Sequence, residues 1–219
     1  MQIKVKIIKS KRKTISLSID RNAGLIARVP NQYSRAQLDA FIKEKSDWII
    51  KHIQQAKMEQ EKYKPFEIVD GAKIVILSKE YTINLSSNKR SKVVGDSIIL
   101  SQENSREHLI ILIKKMVKNH MLLRVKQIAE AYNFSYKNIN VGSAKSVWGS
   151  CSYDNNLNFT YKLAFTPYFV IDYIIVHELC HTRVKNHSKK FYQEIKKIMP
   201  EYKLAEQWLK QNKGIMQYL

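Results

Sequence analysis

The segment from Thr166 to His181 constrains this chain more than any other. Thr166 and Pro167 read as a helix start, with Thr at the N-cap and Pro at the first helical position. Val170, Ile171, Ile174, Ile175, Val176 and Leu179 follow, and so many apolar positions mark a helix buried in a core. Yet the same helix carries His177, Glu178 and His181. The fold must therefore build a packed interior around a polar cluster.

His177 and His181 are four residues apart, so their side chains share one helix face and can share one ion. Glu178 lies on the flank of that face. A carboxylate there can reach a metal-bound water without being a ligand, as a metal-assisted hydrolase requires. Zinc best suits a histidine-rich donor set; manganese, iron and nickel are alternatives. Of the six histidines in the chain, three fall between 177 and 187, which makes His187 a candidate third ligand. Glu194 and Glu201 are its rivals. For His187 to turn back, the helix must stop after His181, with Lys185-Asn186 as the expected end. Three protein ligands plus water would leave the open position of a catalytic site. Cys180 reads as a small buried hydrophobe, and Cys151 as a packing residue that can also approach the metal.

The rest of the chain reads as α+β. Lys4 to Ile8 and Thr14 to Ile19 alternate as strands do, with a turn at Asn22-Ala23-Gly24 before Leu25 to Val29. Ser34 and Gln37 form a capping-box pattern ahead of one long helix over about 35–61, with Trp48 expected in its buried stripe. Strands follow at 73–77, 81–85, 93–94 and 98–100. A long helix is expected from Ser105 to about Tyr132, then strands at 139–141 and 157–161. Ser188 and Pro200 open two further helices. This order suggests a β-rich N-terminal lobe over 1–103 and a core over 104–219, the two forming one composite domain.

The chain has 38 Lys and Arg against 19 Asp and Glu, a net charge of +19. Such a balance suits an anionic partner, nucleotide or nucleic acid, and equally a solvated lysine-rich surface. Two cysteines are too few for a secreted disulfide scaffold. No continuous apolar stretch reads as a signal peptide or membrane span, so a cytoplasmic location is expected, with no membrane partner. Oligomeric state is not legible.

Trp148-Gly149-Ser150-Cys151, Leu157-Asn158, Pro167, Asp172-Tyr173, His177-Glu178-Leu179-Cys180-His181, Asn186-His187-Ser188 and Phe191 follow one another in an order that resembles the YgjP-like metal-dependent hydrolases, relatives of the SprT and WLM metallopeptidases. The resemblance is most specific over about 140–209. It implies a zincin-like helical core with a small edge-stranded sheet, on which the N-terminal lobe packs. It implies His177, His181 and His187 as metal ligands and Glu178 as the catalytic residue. Trp148, Gly149 and Ser150 would border the cleft, where an edge strand can pair with an extended substrate; the other reading is a turn packed on the core. Val147 stands where relatives carry arginine, and Lys145 is the candidate to replace it in substrate binding. Tyr192 stands where relatives often have Trp. The turn to His187 has Val184 where metzincins have glycine. Tyr161, Tyr192 and Lys145 are candidate oxyanion stabilisers.

Three functions follow. The first is a zinc metallopeptidase acting on a peptide or protein. The second is a metal-dependent hydrolase of a nucleotide or other phosphoanhydride. The third is a nucleic-acid-associated protein with a structural metal.

Overall fold

The computed structural model describes residues 5–20, 22–62 and 64–219. By compactness the chain divides between Lys64 and Pro65. In the first unit, β1 (Val5–Ser10), β2 (Ser16–Ile19) and β3 (Leu25–Pro30) form a sheet of order β1-β3-β2. Lys4, the first residue of the expected alternation, lies outside the described residues. The turn expected at Asn22-Ala23-Gly24 is present. Ala23 is left-handed (φ 57°), and the Asp20 carboxylate accepts from the N–H groups of Asn22 and Gly24 at 2.8 Å.

The helix expected as one piece is two, α1 (Arg35–Glu44) and α2 (Ser46–Lys62). Ser34 and Gln37 make the capping box at the start of α1. The break falls at Lys45, just before Ser46-Asp47, residue types that favour a new helix start. Trp48 is not in the buried stripe. Leu38, Ile49 and Ile53 fill it, while Trp48 is 40% exposed and stacks on His52.

The second unit begins with β4 (Lys73–Ile76), β5 (Lys79–Ser86), β6 (Lys92–Val94) and β7 (Ser97–Ser101), in the order β4-β5-β7-β6. Next comes α3 (Ser105–Ala131), with Asn104 rather than Ser105 at its N-cap position. A second sheet contains β8 (Asn138–Gly142), β9 (Gly149–Cys151) and β10 (Asn156–Thr160), ordered β8-β10-β9. A short 3-10 turn leads to α4 (Tyr168–Cys180), followed by α5 (Lys189–Ile198) and α6 (Tyr202–Gln211). Pro167, not Thr166, holds the N-cap of α4; the Thr166 hydroxyl instead donates to Leu163 O. Each of the three sheets mixes parallel and antiparallel pairing, so the fold is α+β.

The sheet of residues 73–101 shares its core with the helices that follow it. Ile74, Ile76, Ile83, Ile98 and Leu100 pack in one cluster with Leu109, Ile113, Val117, Met121 and Val125 of α3 and with most of α4. The order of elements in the sequence suggests a divide near residue 103; the compact division at 64 and 65 follows from this shared core. Among the described residues no helix is long and apolar enough to cross a membrane.

Ile113 belongs to this cluster and is fully buried. Ile113→Ala is expected to lower the unfolding free energy of the second unit by about 2–5 kcal/mol, measured by urea denaturation. A loss below about 1 kcal/mol would place α3 outside the core.

Candidate metal centre

The last turn of α4 carries His177 and ends at Cys180, with His181 at the C-cap. The helix stops earlier than the Lys185-Asn186 expected from sequence. Thr182 Oγ1 donates to Leu179 O at 2.7 Å, and the Val184 N–H donates to Cys180 O. These bonds close the helix and turn the chain back at once. The turn is then tied to distant elements. Arg183 donates to the carbonyls of Tyr132 and Asn133 at 2.7 and 2.8 Å, capping the exposed C-terminal carbonyls of α3. Its guanidinium also lies 3.9 Å from the Phe134 ring centroid. Lys185 donates to Ser152 O at 2.9 Å and Asn155 Oδ1 at 2.6 Å, holding the β9–β10 hairpin against the same turn.

The result is a triangle of nitrogens. The Nε2 atoms of His177 and His187 are 3.1 Å apart, and that of His181 is 3.2 Å from each. Three imidazole nitrogens this close cannot all be satisfied by protons on one another. A single cation satisfies all three. Tetrahedral zinc, about 2.0–2.1 Å from each nitrogen, separates its ligands by about 3.3 Å, so the donor set fits. Among the described residues, this is the only such group of three or more donors. Glu194 is instead paired with Arg183 and Lys197, and Glu201 is exposed at the start of α6.

The rings are prepared for coordination. His181 Nδ1 lies 3.1 Å from Val184 O, which places its proton on Nδ1 and leaves Nε2 free to bind. Phe191, fully buried, stacks on His181 with centroids 4.3 Å apart and meets His177 and His187 edge-on at 4.9 Å. It is the floor that fixes the spacing of the three rings. Burial, reinforced by the two neighbouring imidazoles, pushes His177 down to about 3, so its ring is neutral at ordinary pH. Burial also lowers His181. His187 is exposed, which opens the group to solvent on that side.

Glu178 is 4% exposed and lies against the edge strand. A Cβ added at Gly149 would fall 2.7 Å from Glu178 Oε1 and 2.8 Å from its Cγ, closer than atoms approach without bonding. Gly149 therefore admits the carboxylate. The sequence marks Gly149 as a cleft residue; its steric tie to Glu178 is not legible there. β9 is an edge strand, as the resemblance implies. Trp148 before it is half-buried on the core, Ser150 is exposed with its hydroxyl accepting from Asn158, and Lys145 is exposed in the preceding loop. Cys180 is fully buried; Cys151 is half-buried beside Lys185. Tyr161 donates its hydroxyl to Leu219 O, whereas the Tyr192 ring lies 6.4 Å from that of His187.

The sequence pattern of one protein family, the YgjP-like, metallopeptidase domain, matches residues 13–212. No curated protein and no solved structure matches the chain. The family match and the histidine triad together support a metal-dependent, peptidase-like hydrolase.

Burial pushes the Glu178 carboxyl up to about 8 in the metal-free protein. The native state then keeps a proton that the unfolded chain releases near 4.5, so this group makes stability fall as pH rises from about 4.5 through 8. Replacing it by a neutral amide removes that loss. The melting temperature of metal-free Glu178→Gln is expected to gain on that of the metal-free wild type between pH 5 and 9. A difference that is constant across this range would contradict the burial of the carboxyl.

Proposed function

This chain belongs to the YgjP-like metallopeptidase family, and we propose that it is a zinc-dependent peptidase in which Glu178 is the general base. The observation that carries this reading is the convergence of three imidazole nitrogens on one point, with the residue after His177, Glu178, buried and its carboxyl lodged against an edge strand. His177, His181 and His187 would hold the ion. When bound, zinc supplies Lewis acidity and makes water a nucleophile near neutral pH. Beside the bound ion Glu178 would hold its charged form, against the burial that raises it. Glu178 then accepts a proton from the attacking water and returns it to the leaving amine.

The outer edge of β9 is the proposed seat of an extended peptide. The backbone groups of Gly149, which alternate with the inward-paired ones of Ser150, would pair with it in β-fashion, with Trp148, Ser150 and Lys145 beside that path. A bound peptide would thereby lie along the strand that Glu178 touches. The absence of a fourth donor in the group favours a catalytic over a structural ion among the described residues. Hydrolysis of a nucleotide phosphoanhydride is the second reading, favoured by the net charge of +19, which attracts anions.

The zinc-loaded protein is expected to cleave members of a peptide panel and to leave nucleotides intact. In the same assay Glu178→Gln should retain zinc and lose turnover. Gly149→Ala, which forces the carboxylate aside, should retain zinc and lose about 100-fold. Nucleotide hydrolysis without peptide cleavage would select the second reading, and full activity of Glu178→Gln would remove Glu178 from the chemistry.

A further inference from the structure

The three ligand rings do not have equal support. His181 is held by the carbonyl of Val184 in its own turn. His177 is held by a side chain, and that side chain by another helix. Tyr173 lies one turn earlier on α4, and its hydroxyl oxygen is 3.4 Å from His177 Nδ1. The same hydroxyl donates to Glu206 Oε1 on α6 at 2.9 Å. The direction of the relay follows from these partners. A carboxylate accepts only, so the Tyr173 proton goes to Glu206, and the Tyr173 oxygen is left to accept from Nδ1–H of His177. That places the free lone pair of His177 on Nε2, the atom facing the other two rings.

The surroundings hold this line in place. Tyr173 is 4% exposed. Its ring meets His177 edge-on at 5.8 Å and stacks on Tyr202 of α6 at 6.3 Å. Tyr202 in turn stacks on Tyr192 of α5, which lies beside His187. Glu206 plays no part in the hydrolytic scheme above, and among the described contacts its one hydrogen bond is to Tyr173.

We propose that Glu206 is a positioning residue for the metal centre, acting through the Tyr173 hydroxyl to fix the ring orientation and tautomer of His177. The proposal rests on the reading of His177 as a metal ligand. It makes α6, a helix without a ligand of its own, a determinant of metal affinity. Partners of ligating histidines are worth about 10–100-fold in affinity.

The test is zinc affinity, by competition with a chromophoric chelator, in Glu206→Ala, Glu206→Gln and Tyr173→Phe, and in each Glu206 variant combined with Tyr173→Phe. Glu206→Ala and Tyr173→Phe are each expected to weaken zinc binding about 10-fold or more. Glu206→Gln, whose amide oxygen still accepts the tyrosine proton, should recover most of the loss. Once Tyr173→Phe is in place, glutamate, glutamine and alanine at position 206 should bind zinc equally, because the relay is already cut. A general structural role for Glu206 would instead lower affinity whether or not position 173 carries a hydroxyl. Wild-type affinity in Glu206→Ala, or losses that add in the double variant, would overturn the proposal while leaving the metal site intact. Failure of the wild-type protein to bind zinc would overturn it together with the metal-ligand reading, so the two failures are distinguishable.

Discussion

Everything about the site depends on a helix that is apolar nearly all round and ends in ionisable groups. Val170, Ile171, Ile175 and Leu179 are essentially inaccessible, and they draw α4 into the centre of the second unit. His177, Glu178 and His181 are drawn in with them. Water is thus removed from groups that would otherwise charge and be hydrated, and each is pushed toward its neutral form. For the histidines this is the form that binds a metal. For the glutamate it is the form that a nearby cation reverses. The same burial therefore sets His177, His181 and Glu178 in the states from which the proposed function starts.

A buried helix alone does not bring His187 to the pair. That depends on the turn after His181, and the turn is fixed from outside. Arg183 joins it to the end of α3, and Lys185 joins it to the β9–β10 hairpin. Phe191, on the helix that follows, sets the rings at their separations from below. The left-handed Asn155 shapes the hairpin that Lys185 grips, and Gly149 on that hairpin leaves room for Glu178. The histidine triad, Glu178 and the edge strand are in this way positioned by one network of contacts.

The sequence makes much of this legible where the signal is local. Helical spacing of His177 and His181, the apolar run of α4, the capping box at Ser34 and the turn at Ala23 are each written within a few residues. The family pattern adds the edge strand. What is not legible depends on partners far away in the chain. Nothing near Arg183 indicates that it will cap a helix ending some fifty residues earlier. Periodicity places Trp48 in the buried stripe, because spacing records which face a residue shares but not how much of that face is covered. The break at Lys45 escapes the same reading, since both halves keep the helical period across it. The ties of Glu206 to Tyr173 and of Gly149 to Glu178 also join separate elements, and only the folded chain shows them.

The most direct test of the account is X-ray absorption of the zinc-loaded protein at neutral pH. Three imidazole nitrogens and one oxygen, all at about 2.0–2.1 Å, are expected. A sulfur neighbour at about 2.3 Å would bring Cys151 into the coordination sphere and make the ion structural, contradicting an open catalytic centre built on His177, His181 and His187.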